Sequence, residues 1–168
     1  VASAAGASIS AALSLLLEAQ RDGEPVAWVT TRASLFYAPD ASLNGLDVEA
    51  ISVVRAADAR EAARAAERLL RSGGFGAVVL DLDDDSDVAD ALAVRLAQLA
   101  RLHDAVVVAM VYGRKTGAFG AHASLRVAVE RSRIAAGRFV RGVQIERARG
   151  GLSSAPWLEE VDGPPGLR

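Results

Sequence analysis

Apolar positions recur at two different periods along this chain, and the place where the period changes divides it. In residues 7–20, Leu13, Leu16 and Leu17 stand at helical spacing and predict an Ala/Leu helix. The turn Arg21-Asp22-Gly23-Glu24 leads through Pro25 into a short apolar strand, Val26 to Thr30. A brief helix over 40–46, closed by Gly45, precedes a second strand, Ile51 to Val54. Residues 57–70 predict an alanine-rich helix with Glu/Arg pairs at i,i+3 and i,i+4, stopped by Ser72-Gly73-Gly74. Ala77 to Leu82 (AVVLDL) and Ala105 to Val111 (AVVVAMV) are unbroken apolar runs, the pattern of strands buried on both sheet faces. A helix over 88–102 separates them.

Strands alternating with helices of this length make βαβ units and a mainly parallel sheet. After residue 112 the period falls to two. Leu125, Val127 and Val129 alternate with Arg126, Ala128 and Glu130, and residues 139–147 alternate likewise. Ala136-Gly137-Arg138 is the expected hairpin turn between them. A further short strand is expected over Trp157 to Val161. The expected architecture is an α/β core with a mainly parallel sheet flanked by helices and a C-terminal antiparallel extension. It forms one domain over residues 1–162 and a disordered tail over 163–168.

At 168 residues and 51% hydrophobic, the chain is long enough to bury one full core. The lack of cysteine excludes disulfide scaffolds, zinc knuckles and thiol catalysis. His103 and His122 lie too far apart for a local metal-ligand pair, so no metal is expected. No apolar run reaches the length of a membrane-spanning helix, and the opening VASAAGASISAALSLLLEAQ lacks the basic start of a secretion signal. The cytoplasm is the expected compartment. Of 19 basic residues 18 are Arg, Lys115 being the one Lys, a bias read first as a mark of GC-rich coding. The net charge of -2 hides an asymmetry. Residues 1–111 carry 9 basic and 16 acidic side chains, whereas residues 112–150 carry 9 basic and only Glu130 and Glu146. Such a basic third suits phosphate backbones or acidic protein surfaces, or is a plain solvated face.

A phosphate-binding α/β domain opens its first helix with a Gly-rich loop, a Lys and a Ser/Thr hydroxyl. Val1-Ala2-Ser3-Ala4-Ala5-Gly6-Ala7-Ser8 occupies that frame, with Gly6 and Ser8 in place but Val1 for the first Gly and Ala7 for the Lys. The order of segments resembles the RecA recombinase core. The likeness rests on this loop before LLLEAQRDGEPVAWV, on AVVLDL ending near Asp81, on VVVAMV, and on SLRVAVERSR followed by RGVQIERARG. Tyr37-Ala38-Pro39, Gly45-Leu46-Asp47 and Val54-Arg55 are similar to motifs of the ImuA/SulA-like branch of that superfamily. The RecA-like P-loop core is therefore the expected fold.

The resemblance implies a nucleotide site stripped of its catalysts. The phosphate-loop Lys falls on Ala7 and the Mg²⁺-binding hydroxyl on Ser8. The catalytic Glu falls near Arg32, and the Gln that senses the γ-phosphate on Tyr112 or Gly113. Asp81, at the Walker B position, survives, although it also heads an acidic run, DLDDDSD, that is otherwise read as solvated. The expectation is a pseudo-ATPase with no cofactor, ATP binding being doubtful. The second DNA-binding loop falls on residues 112–120, where Tyr112, Arg114, Lys115 and Phe119 combine cations with aromatics. With Arg126 and Arg141 they are the expected contacts to single-stranded DNA or a partner.

For partners, the ImuA likeness implies an accessory role in damage-induced mutagenesis beside an ImuB-like Y-family protein, a DnaE-type polymerase and RecA. The alternative is a SulA-like division inhibitor that binds FtsZ. Phe36, Tyr37 and Trp157 are the apolar contact candidates. A RecA core also sets a strand before the phosphate loop, which residues from Val1 onward do not supply. Either that strand belongs to a segment before Val1, or the sheet lacks it; in the second case the open sheet position would take a partner's strand or a second copy, which would make a homo-oligomer.

Overall fold

The computed structural model describes residues 4–31, 36–82, 88–110, 119, 122–150 and 155–162. The chain folds as two compact units, Ala12–His122 and Val1–Ala11 with Ala123–Arg168. The first helix, α1 (Ala4–Arg21), contributes to both.

In the larger unit, β1 (Val26–Thr30), β2 (Ile51–Arg55), β3 (Ala77–Asp81) and β4 (Val106–Met110) form an all-parallel sheet in the order β2-β1-β3-β4. The helices between them are α2 (Ala38–Leu43), α3 (Ala59–Arg71) and α4 (Asp90–Leu102). A single 3₁₀ turn, Val48–Ala50, begins where Asp47 accepts a hydrogen bond from the Glu49 N–H. The α/β class with a mainly parallel sheet is as the hydrophobic pattern predicts.

β1 and β3 are central and buried at every residue, as their unbroken apolar runs require. The equally apolar β4 is a correction. Expected as a strand buried on both faces, it pairs with β3 alone among the described residues, and its first residue, Val106, is 53% exposed.

Ala27 and Val29 of β1 join Val78 and Leu80 of β3 in a cluster with Ala62, Ala63, Ala66 and Leu70 of α3 and Leu96 of α4. The two-residue period of a strand therefore turns Val26 and Trp28 to the opposite sheet face. Small alanines let α3 lie close on the strands. Asp58 begins α3 by accepting the Glu61 N–H at 2.8 Å, and the Glu61 carboxylate accepts the Ala57 N–H at 3.2 Å. Gly73, at φ +70°, ends it in the left-handed conformation. Replacing Asp58 by Ala is expected to cost about 1 kcal/mol, read as a lower urea midpoint with an unchanged slope.

In the smaller unit, β5 (Leu125–Ala135), β6 (Arg138–Ala148) and β7 (Trp157–Asp162) form an antiparallel sheet in that order. Ala136 and Gly137 make the predicted turn, with Gly137 at φ +70°. The predicted tail, 163–168, lies outside the described residues.

Candidate functional site

In an open parallel sheet, ligands collect where the chain reverses its direction of travel across the strands, at their C-terminal ends. Here the chain passes from β1 to β2 on one side and then returns to β3 on the other, so that point lies between β1 and β3. Thr30, Thr31 and Asp81 meet there. The Thr30 hydroxyl donates to Asp81 Oδ2 at 3.3 Å, and the Thr31 N–H donates to the Asp81 carbonyl at 3.1 Å. Asp81 is fully buried and Thr30 nearly so. Asp81 is thus no solvated head of an acidic run; the carboxylate is held inside the strand end. Beneath it, Trp28 is fully buried with its ring 5.2 Å from that of Phe36. Among the described residues Trp28 Nε1 and Thr31 Oγ1 have no hydrogen-bond partner. The arrangement ties the ends of β1 and β3 together through a buried hydroxyl–carboxylate pair and a backbone hydrogen bond. No cluster of metal-ligating side chains occurs among the described residues.

The phosphate-loop frame is placed otherwise. Gly6, Ala7 and Ser8 lie within the opening turns of α1, which starts at Ala4 rather than at residue 7. Gly6 is helical, and its carbonyl accepts a hydrogen bond from the Ser10 hydroxyl at 3.0 Å. The Ala7 methyl is fully buried. Arg32, expected in place of the catalytic Glu, lies outside the described residues, as do Tyr112, Gly113, Arg114 and Lys115. Phe119 is described, and it packs against the α3–α4 core cluster instead of standing free as a stacking platform.

The basic extension is largely paired within its own sheet. Register sets Arg131 opposite Arg141, and Arg141 opposite Glu159, on one face. Like charges directly opposite repel. Arg141, only 5% exposed, ion-pairs with Glu159, while the Arg131 guanidinium lies 4.8 Å above the Phe139 ring. Arg138 pairs with Glu160, and Arg126 with Glu146 at 2.7 Å. β7 thus brings its own carboxylates onto the basic hairpin, and Arg126 and Arg141 serve the cohesion of the sheet. Of the apolar contact candidates, Tyr37 and Trp157 are exposed and Phe36 packs on Trp28.

Sequence reasoning missed Arg60, Arg64 and Arg68 as a group. The Glu/Arg spacing of α3 predicts ion pairs, but the Glu61 carboxylate is taken by the helix start. Among the described residues Glu67 pairs with Arg71 and with Arg95 of α4, and the three arginines have no ionic partner. Their four-residue spacing was the available signal.

The geometry defines an α/β protein built on a parallel sheet, with a buried Thr30–Asp81 pair at the β1–β3 switch point. No known protein-family model and no curated protein matches the chain. Among solved structures it is similar to SulA from Pseudomonas aeruginosa, with a TM-score of 0.54 and 23% identity, covering 67% of this chain and 93% of that one. The chain has a SulA-like fold. No helix among the described residues is long and apolar enough to cross a membrane.

Proposed function

We propose that this chain is a non-catalytic binding protein of the bacterial DNA-damage response, a degenerate member of the RecA superfamily that acts by docking on another protein. The likeness to SulA, which takes in nearly the whole of that protein, carries the reading and favours FtsZ as the partner. A buried alanine where a phosphate-binding Lys would stand supports the non-catalytic part, since phosphoryl transfer depends on electrostatic stabilisation of the phosphates. Such a protein needs no cofactor and works in the cytoplasm.

The test is GTP-driven FtsZ assembly followed by light scattering with increasing amounts of the full chain. Assembly is expected to fall in proportion to the added protein and to vanish near equal concentration. Unchanged assembly with no measurable FtsZ binding would sink the reading.

A second reading has one observation in its favour. The Arg-rich antiparallel extension, β5 and β6, would be the surface on which an ImuA-like protein meets an ImuB-like Y-family protein, a DnaE-type polymerase, RecA or single-stranded DNA. Recovery of those proteins without FtsZ from damaged cells would select it.

A further inference from the structure

α3 carries Arg60, Arg64, Arg68 and Arg71 on one face, four exposed side chains within a quarter turn of one another about the axis. The buried residues Ala59, Ala62, Ala63, Ala66 and Leu70 occupy a different face, so the arginines lie on the solvent side of the helix. Successive members of Arg60, Arg64 and Arg68 stand about 6 Å apart along the axis, four residues at about 1.5 Å each. Arginines at this spacing repel one another and lower helix stability slightly. The sequence does not relieve that repulsion. Glu61 turns back to the Ala57 N–H, and Glu67 is shared by Arg71 and by Arg95 on α4. Arg60, Arg64 and Arg68 therefore follow one i, i+4 ridge of the helix, inclined to its axis, with no ionic partner among the described residues.

We propose that this row is a docking surface for an acidic helix of a partner protein, one with carboxylates at i, i+4 and i+8. Such a helix repeats the same rise, so laid along α3 it meets each guanidinium with a carboxylate. Two features favour an acidic helix over a nucleic acid. No aromatic side chain lies on the exposed face of α3 to stack a base, as single-strand binding requires. The row is also interrupted by Asp58, Glu61 and Glu67, so the positive charge comes at separate, spaced positions, which suits carboxylates at matching intervals better than the continuous charge of a phosphate backbone. The surface is independent of the reading given under Proposed function, because it specifies the chemistry of the partner segment and not the partner.

The experiment uses the full chain and three fluorescein-labelled probes. One is an alanine-based helical peptide with Glu at i, i+4 and i+8. The second has the same composition with the glutamates permuted off one face, and the third is a 20-base-pair duplex. Anisotropy is read at low and at high salt. The spaced peptide is expected to bind at least about tenfold more tightly than the permuted one, and to weaken as salt screens the charges. The triple variant Arg60→Glu/Arg64→Glu/Arg68→Glu should lose that binding by tenfold or more while keeping its helical circular dichroism. Arg60→Gln/Arg64→Gln/Arg68→Gln, which removes charge without reversing it, guards against misfolding and should lose it as well. Equal binding of the two peptides, binding unaffected in the glutamine variant, or preference for the duplex would each overturn the proposal.

Discussion

Truncating Trp28 to Ala is expected to lower the unfolding free energy by about 3–5 kcal/mol, among the larger effects available in this fold. The residue sits at the middle of β1, a central strand, and none of its surface reaches solvent. Val53 and Val79 stand beside it in register on the two neighbouring strands, and Phe36 lies across its ring. An alanine there leaves a cavity roofed by three β-branched or aromatic neighbours. Strands hydrogen-bonded on both sides cannot close such a gap by moving. Trp28→Phe should cost only about 1 kcal/mol, since much of the volume stays and an indole N–H with no partner among the described residues is removed. Urea unfolding followed by far-ultraviolet circular dichroism measures both. Equal losses for the two variants would mean that Phe recovers none of the packing, so that the particular shape of the indole, rather than buried volume, carries the stability.

Ala7→Lys should be nearly as damaging, and it should confer no ATPase activity. The substitution restores the residue type that the phosphate-loop frame lacks. Were the frame a working loop, the new ammonium would reach phosphate and raise turnover. In the folded chain the Ala7 methyl is fully buried in α1. A four-carbon stem there overpacks its surroundings, and the ammonium at its end must be desolvated or drag the helix out of place. The expected loss is about 3 kcal/mol, with ATP hydrolysis at the level of the protein-free control. A variant that kept wild-type stability and hydrolysed ATP would show that the site is one residue short of activity, and would end the non-catalytic reading.

The elements themselves were legible because their causes are local. Helix period, the Gly73 stop, the Ala136–Gly137 turn and the shift to alternation after residue 112 all appear in the structure within a few residues of their expected places. Helix α1 extends three residues further toward the N-terminus than its apolar pattern, because alanines and Gly6 carry no periodic signal of their own. The candidate site was partly legible. Asp81 was identified through the RecA resemblance, as the Walker B carboxylate at the end of AVVLDL, but its burial and its Thr30 partner depend on β1 lying beside β3.

By itself, then, the sequence determined the α/β class, the parallel core, the antiparallel extension and the absence of cysteine chemistry, since period and composition are properties of neighbouring residues. Only the tertiary structure decided which apolar strand is central and which is at the edge. AVVLDL and AVVVAMV read alike, yet β3 has two neighbours and β4 one among the described residues. Tertiary structure also redistributed the charge. The basic hairpin is met by Glu159 and Glu160 of β7, while α3, within the acidic two thirds of the chain, is left with arginines unmatched. Charge counted along a chain is additive, but an ion pair forms only between groups that strand register or helix packing brings within reach, and that is a property of the fold.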